Sequence, residues 1–235
     1  LGVRSGRWWF QCGEYLQGSA FAPIISQFQT LAEIINEDDA LTRFDKLSES
    51  FPMLAMHELH LLAELLLIDG DFKSKISKSK RREKLYELLI KQIKRDANKT
   101  PILVVFEDIH WVDASTHEFI SYLASAIENL PVFLVITSRN TNDQVKPNIN
   151  LSYSHELRVG QLKRDDCFEL LKSLSEKTDL PSNLSKQIVE QTDGVPLFIE
   201  DLTISLLQSP SYSNCFSNNE KITVPNKLSE HLMSR

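Results

Sequence analysis

The sequence predicts an α/β protein in which a parallel sheet is flanked by helices. Two apolar runs, Ile102–Phe106 and Pro131–Thr137, have the length and composition of buried strands. The aromatic run Arg7–Cys12 is bounded by glycines and is a third candidate strand. Between these runs, apolar residues recur every three or four positions, as they do in amphipathic helices. Strands that alternate with helices in this way indicate a parallel sheet.

Composition and charge narrow the class of protein. The 235 residues are 42% hydrophobic and 25% charged, which is ordinary for a soluble globular chain and sufficient for one α/β domain with a smaller helical piece. A formal net charge of −6 argues against nonspecific binding to nucleic acid or anionic membranes. No apolar run approaches the roughly twenty residues that span a bilayer. Cys12, Cys167 and Cys215 are widely spaced, which predicts reduced thiols in a cytoplasmic protein rather than disulfides or a zinc site.

Helical patterns fill the stretch between the first two candidate strands. Apolar spacing predicts helices over Ala22–Asn36 and over Leu41–Ile68, the second divided at Pro52. A further helix is expected over Glu83–Ala97, before the central strand. The basic run Lys73–Lys84 that leads into it is interpreted as a solvated face, with contact to a phosphate or an acidic partner domain as the alternative.

Another helix is expected after the central strand. Ser115 is followed three residues later by Glu118, which is the form of a capping box. The predicted helix therefore runs from about Thr116 to Glu128.

The last third of the chain is predicted to be mostly helical. Glu156–Val159 has the form of a short edge strand, and amphipathic helices are expected over Cys167–Ser175 and Leu184–Gln191. Gly194 would end one helix at its C′ position, and Pro196 would stand in the first turn of the next helix. Both residues therefore have a structural explanation that needs no ligand.

The main functional signal is a pair of acids at the end of the central strand. Glu107 and Asp108 follow the apolar run, and Arg139 follows the next candidate strand. Open α/β sheets bind ligands beyond the carboxyl ends of their strands, where Arg139 could meet a phosphate oxygen. Two alternatives stay open: a buried strand can end in acids without phosphate chemistry, and Arg139 can pair with surface carboxylates. His110 could face a bound phosphate, whereas Trp111 is expected to pack beneath the loop.

Several strings in the chain resemble one family. Phe106–Thr116, FEDIHWVDAST, resembles the Walker B strand and following loop of the STAND signalling ATPases. Gln191–Asp201, QTDGVPLFIED, is similar to the GxP motif of the family's small helical lid domain. Gln11–Phe28 resembles the stretch after the family's second core strand, and Val224–Arg235 resembles the entry into its winged-helix part. The resemblance is to the ATPase module that stands beside adenylate or guanylate cyclase domains and tetratricopeptide repeats in large bacterial regulators.

The resemblance implies an AAA-like P-loop NTPase fold in three parts. Residues 1–160 would be the ATPase core, a parallel sheet flanked by helices that lacks its first strand and Walker A loop. Residues 161–208 would form a helical lid with the GxP motif. Residues 209–235 would be a linker and the truncated start of a winged-helix region.

The resemblance also implies roles for individual residues, with ATP and Mg²⁺ as cofactors. Glu107 would contact the metal ion and Asp108 would orient the attacking water. Because Glu is longer than the Asp usual at this place, the exchange of these two roles stays open. Arg139 would stand at the sensor 1 position, and the backbone at Gly194 and Pro196 would lie near the bound adenine.

The phosphate-binding loop of such ATPases is missing from this sequence. No GxxxxGK followed by Ser or Thr occurs among the 235 residues. One explanation is that the loop lies before Leu1, so that this chain is a fragment without turnover of its own; the other is a catalytically silent interaction scaffold. In the first case the parent would be an ATP-driven signalling switch. Its expected partners are an attached nucleotide cyclase or kinase and a C-terminal repeat domain, with nucleotide-dependent oligomerisation.

Overall fold

The computed structural model describes residues 6–70, 77–139, 153–175 and 180–208. The chain divides into two compact units, Leu1–Ser154 and His155–Arg235. The described part of the first unit contains, in chain order, β1 (Arg7–Gln11), α1 (Ala22–Leu31), α2 (Ala40–Ser50), α3 (Met56–Leu65), α4 (Lys78–Ala97), β2 (Ile102–Glu107), α5 (Ala114–Ala126) and β3 (Val132–Ile136). The described part of the second unit contains α6 (Arg164–Leu174), α7 (Ser182–Thr192) and α8 (Pro196–Gln208).

The strands of the first unit form a parallel sheet in the order β1-β2-β3. Phe10 of β1 stands beside Phe106 of β2, which stands beside Ile136 of β3. These strands lie where the sequence predicts them, because each is a short run of aromatic or β-branched residues. The expected α/β architecture, a parallel sheet flanked by helices, is confirmed.

The buried core of the first unit lies on one side of this sheet. Side chains on that face are almost fully buried in one cluster with residues of the helices: Trp8, Phe10, Val104 and Phe106. On the other face Val105 is buried, Leu103 is half-buried and Phe133 is 70% exposed. The steps from β1 to β2 and from β2 to β3 run in the same direction across the sheet. Right-handed crossovers then place both sets of connecting helices on the same face.

The bounds of α1 and α4 differ from the predicted ones for local reasons. α1 ends at Leu31 rather than Asn36, because Glu33 adopts the left-handed conformation with φ 53°. α4 begins at Lys78 rather than Glu83, so that part of the basic run is helical. Lys and Arg are good helix formers, and the charge of the run does not prevent this extension.

The described helices of the second unit pack around a core of their own. Its buried members come from α6, α7 and α8: Cys167, Leu171, Leu184, Ile188, Ile199 and Leu202. The edge strand predicted over Glu156–Val159 is wrong, since this segment is irregular, with Leu157 85% and Val159 88% exposed. A strand needs a hydrogen-bonded neighbour, and none of the described residues pairs with this segment.

Some predicted features lie outside the described residues. They are the first four residues of the basic run, at 73–76, the linker and winged-helix start at 209–235, and Cys215. Within the described ranges Cys12 and Cys167 are free and buried thiols. No helix in those ranges has both the length and the apolar character needed to cross a membrane.

Candidate functional site

Three predicted site residues stand at the carboxyl edge of the sheet. Glu107 is the last residue of β2, and Asp108 follows it directly. Arg139 lies three residues beyond Ile136, where β3 ends. Because β2 and β3 are parallel neighbours, their carboxyl ends open onto the same edge, which is where ligands of such sheets bind.

Hydrogen bonds between the loops after β2 and β3 fix the position of Asp108. Its backbone N–H donates to the Thr137 hydroxyl at 3.1 Å. The N–H of Ile109 donates to the Thr137 carbonyl oxygen at 3.0 Å. Asp108 has φ 53° and ψ 45°, in the left-handed region that Asp adopts more readily than most residues. Its side chain is 46% exposed, so the carboxylate is accessible to a ligand at this edge.

Glu107 is held by hydrogen bonds from β1 and the residue that follows it. Its Oε2 accepts a hydrogen bond from the indole Nε1 of Trp9 at 2.9 Å, and its carbonyl oxygen accepts one from the N–H of Cys12 at 3.0 Å. Among the described residues Oε1 of Glu107 has no hydrogen-bond partner, so this oxygen is available to a ligand. Burial, assisted by the charges of Asp113 and Asp108, raises the pKa of Cys12 to about 12, and this neighbour is therefore a neutral thiol.

His110 links the loop of Asp108 to the loop of Arg139. Its side chain is 3% exposed, and its Nδ1 lies 3.8 Å from Asp108 Oδ1. The same Nδ1 accepts a hydrogen bond from the backbone N–H of Arg139 at 3.5 Å. Burial lowers the pKa of His110, the charge of Arg139 lowers it further, and the charge of Asp108 opposes them. The imidazole is thus neutral at pH 7, and its predicted contact with phosphate stays a prediction.

Trp111 follows the acids and was expected to pack beneath their loop. It is half-buried against the hydrophobic core of the first unit. Its ring centroid lies 5.0 Å from that of His110. Trp111 therefore packs against the core, as expected, with its ring beside the imidazole of His110.

Asp113 is a neighbour of the site whose contacts the sequence analysis did not anticipate. It is buried, and its Oδ1 accepts hydrogen bonds from the N–H groups of Ser115 and Thr116 at 3.0 Å each. Its Oδ2 accepts a hydrogen bond from the Thr116 hydroxyl at 2.6 Å. The N–H of Phe21, at the start of α1, also donates to Oδ1 at 3.0 Å. One carboxylate therefore joins the loop after the acids to a distant helix.

The predicted start of α5 is wrong as a consequence. The helix spans Ala114–Ala126 rather than Thr116–Glu128, and its N-cap is Asp113 rather than Ser115. Asp and Ser are both favoured N-cap residues, and the local sequence suits either. Asp113 is the N-cap because its two carboxylate oxygens accept hydrogen bonds from several donors at once, including the N–H of Phe21. The string DAST contained the signal, since Asp lies three residues before Thr116.

The other predicted site residues, Gly194 and Pro196, belong to the second unit. Gly194 has φ +71°, and its carbonyl oxygen accepts a hydrogen bond from the N–H of Leu162 at 2.8 Å. A Cβ added at Gly194 would lie 2.5 Å from the Leu162 carbonyl oxygen. Pro196 is the first residue of α8, as predicted. These contacts explain both residues within the unit, and their place beside an adenine stays a prediction.

The acids at the sheet edge suit a magnesium ion that binds together with phosphates. Glu107 and Asp108 offer hard oxygen donors next to each other. Within the described ranges there is no group of three or more His, Cys, Asp or Glu side chains that could hold a metal ion. Mg²⁺ is usually bound by one or two carboxylates, with substrate phosphates and water as its other ligands. The donors therefore fit a nucleotide-bound Mg²⁺ and do not form an all-protein metal cage.

A parallel sheet with two acids at its carboxyl edge, beside a strand whose following loop carries a cation, defines an α/β protein with a candidate ligand site at that edge. The AAA ATPase domain family matches residues 4–136, more than half of this chain, and the chain belongs to that family. The matched residues include the three strands and both acids, so the predicted AAA-like P-loop ATPase module is confirmed. Membership of the family implies binding of a nucleotide, usually with Mg²⁺.

Comparison with curated proteins gives a relative of unknown activity. It is an uncharacterized protein of Rhizobium meliloti (strain 1021), 27% identical over 123 residues. The aligned region is 52% of this chain and 12% of the relative, so the chain spans a small part of that protein's length. No solved structure matches the chain.

Proposed function

We propose that this chain is the Walker B and sensor portion of a STAND-type ATPase in a multidomain cytoplasmic regulator. ATP binding and hydrolysis would switch the arrangement of the attached domains. The observation that carries the proposal is the carboxyl edge of the sheet, where Glu107 and Asp108 end β2 beside the loop of Arg139. The family match supports the nucleotide, and the string at residues 106–116 supports the STAND assignment.

Each residue of the edge has a separate task in this proposal. Mg²⁺ bound with ATP would supply positive charge at the phosphates, and Glu107 would hold it through Oε1. Asp108, exposed and fixed by Thr137, would orient the attacking water. The Arg139 guanidinium would balance charge on the transferred phosphoryl group. His110 would keep the loops of Asp108 and Arg139 in register. Variants of the two acids distinguish this assignment from the reverse one.

The phosphate loop would come from chain outside these 235 residues. In the sheet that the structure describes, β3 is an edge strand, and Phe133 on its open face is 70% exposed. Parallel sheets are normally covered by helices on both faces. A further strand beside β3, followed by a helix on the open face, would complete the sheet and bury that face. A Walker A loop joins such a strand and helix, so the open face supports the fragment interpretation.

The parent protein is proposed to carry further domains. An alignment that covers 12% of the relative supports a module inside a much longer chain. The proposed effector is a nucleotide cyclase or a kinase, with a repeat domain on the C-terminal side. Residues 161–208 would act as the lid over the adenine, with Gly194 and Pro196 nearest to it, and 209–235 would begin the winged-helix part.

Equilibrium binding of ATP to the full-length protein tests the proposal. We expect saturable binding that requires Mg²⁺, and weaker Mg²⁺ dependence in Glu107→Gln because an amide is a poor ligand for a hard cation. Glu49→Gln, on the exposed surface of α2, is the matched control and should bind as the wild type does. The 235-residue chain alone should show no appreciable turnover.

The second candidate function is a silent AAA-like scaffold without hydrolysis. The observation that favours it is the lack of a phosphate-loop sequence in these 235 residues. Full-length protein that binds no ATP at millimolar concentrations, with or without Mg²⁺, would establish the scaffold and exclude the ATPase.

A further inference from the structure

Trp9 lies beside Glu107 on the face of the sheet opposite the core. Gln11 of β1 stands opposite Glu107 of β2, and Trp9 is two residues earlier on the same face of β1. Its indole therefore reaches diagonally along that face to the carboxylate. The distance of 2.9 Å between Nε1 and Oε2 is that of a strong hydrogen bond to a charged acceptor.

Arg7 contacts the same indole over the face of its ring. Its guanidinium carbon lies 3.9 Å from the centroid of the Trp9 ring, well inside the range of a cation–π contact. Arg7, Trp9 and Glu107 thus form a continuous row on one face of the sheet. An indole that is held over its ring face and at its N–H has little freedom to rotate, so the carboxylate that it binds is fixed as well.

Trp8 provides an internal comparison for this arrangement. Its Nε1 also donates to a carboxylate, Asp96 Oδ2, at 3.2 Å. Trp8 is 1% exposed in the core, and Asp96 stands near the end of α4 rather than at the carboxyl edge of β2. The two neighbouring tryptophans therefore make the same kind of bond, but only the bond of Trp9 reaches an acid of the candidate site.

We propose that Trp9 is a positioning residue that makes Glu107 a single-oxygen ligand for Mg²⁺. The inference rests on the proposed metal role of Glu107 and adds a determinant of metal specificity to it. The indole N–H engages one lone pair of Oε2 and fixes the direction of the carboxylate, so that Oε1 is the oxygen better placed to bind the ion. Mg²⁺ demands near-octahedral geometry, whereas Ca²⁺ accepts carboxylates through one or both oxygens. The hydrogen bond of Trp9 therefore favours the smaller ion.

The test uses the Mg²⁺ and Ca²⁺ dependence of ATP binding to the full-length protein. Trp9→Phe removes the N–H donor and keeps an aromatic ring for Arg7. It should weaken Mg²⁺ affinity by roughly 10- to 100-fold, as expected when a bond that orients a metal ligand is lost. The ratio of Ca²⁺ affinity to Mg²⁺ affinity should rise, which a general loss of stability would not produce. Trp8→Phe, the matched control, should leave both affinities unchanged.

Glu107→Gln, measured in parallel, separates the proposed metal role of Glu107 from the positioning role of Trp9. If Glu107→Gln weakens Mg²⁺ binding and Trp9→Phe does not, the role of Trp9 is refuted and the proposed function stands. If Glu107→Gln itself leaves Mg²⁺ binding unchanged, the proposed metal role fails and the inference fails with it.

Arg7→Ala covers the case in which Trp9→Phe does not fold. Arg7 is exposed, so its truncation should be tolerated. Loss of the cation–π contact should weaken Mg²⁺ affinity by roughly two- to fivefold. Wild-type affinity in Arg7→Ala, with Trp9→Phe unfolded, would count against the positioning role.

Discussion

The carboxylate of Asp113 binds the backbone N–H of Phe21, 92 residues away in the chain, at 3.0 Å between Oδ1 and N. Phe21 has φ 62° and stands immediately before α1. The same carboxylate caps α5, directly after the acidic loop. One buried side chain therefore orders the entrance to two helices and the loop that carries the candidate site.

Truncation of this side chain is the first prediction. Asp113→Ala leaves the N–H groups of Phe21 and Thr116 without their acceptor, and Thr116 is fully buried. We expect a loss of roughly 2–4 kcal/mol in the free energy of unfolding, from the lost cap together with buried donors left unsatisfied. Denaturant unfolding followed by tryptophan fluorescence measures it.

Asp39→Ala is the control for this prediction. Asp39 caps α2 in the same way, accepting from the N–H of Thr42 at 2.8 Å, but at an exposed position. It should cost clearly less than Asp113→Ala does, because only a solvent-exposed cap is lost. Equal losses in the two variants would show that the contact of Asp113 with Phe21 adds nothing.

Contacts between residues that are far apart in the chain mark the limit of what the sequence can predict. β2 could be predicted because Ile102–Phe106 is a short run of apolar, largely β-branched residues. The acids could be placed at its end because they follow this run directly in the sequence. The local string DAST allows either Asp113 or Ser115 as the N-cap, and the N–H of Phe21, 92 residues away, is a donor to Asp113 that no local pattern contains. The bond from Trp9 to Glu107 likewise depends on the register of two strands 98 residues apart.

The edge strand wrongly predicted at Glu156–Val159 is the reverse case, in which a local pattern is present but the partner strand is not found among the described residues. Its apolar alternation is a genuine local signal, but a strand exists only with a neighbour to pair with. The alternation of Leu157 and Val159 contains no information about whether such a neighbour is present, and both side chains are exposed.

The two acids of the edge should differ in kinetics. Asp108→Asn in the full-length protein should leave ATP binding nearly unchanged and slow hydrolysis by roughly 10² or more, the effect of losing a positioned base. Glu107→Gln should chiefly weaken Mg²⁺-dependent binding. Single-turnover hydrolysis and Mg²⁺ titration on each variant give these values. The opposite pattern would reverse the two roles, and no change in either variant would make the acidic strand structural.

Gly194 should be intolerant of any side chain. Gly194→Ala would place a methyl group 2.5 Å from the Leu162 carbonyl oxygen at φ +71°, so the backbone must shift. We expect a loss of roughly 2 kcal/mol or more in the local stability of the second unit, seen as faster amide hydrogen exchange in α7 and α8. Gly160→Ala is the control, because a Cβ there meets nothing within 4 Å. Similar exchange in both variants would contradict the prediction.

Stability of the first unit should fall as the pH drops below about 6.5. Burial lowers the pKa of folded His110 from its ordinary value of 6.5, so the unfolded chain binds more protons than the folded chain in the window below that value. This contribution is complete above pH 6.5 and is lost as the pH falls through the lowered pKa. His110→Asn, which keeps an acceptor near Nδ1, should flatten the dependence between pH 7 and 5. His57→Gln, at an exposed position, should retain the wild-type slope; a wild-type slope in His110→Asn would refute the assignment.

The single-sided core has a practical consequence for handling the protein. In the described part of the first unit, the exposed Phe133 lies on β3, whose outer edge pairs with no other described strand, and an apolar side chain on such an edge promotes edge-to-edge association. Copies of a recombinant piece limited to these strands would meet through that surface and form particles whose size grows with concentration. Light scattering on a series of progressively longer pieces would identify the added segment that abolishes this growth and therefore covers the sheet.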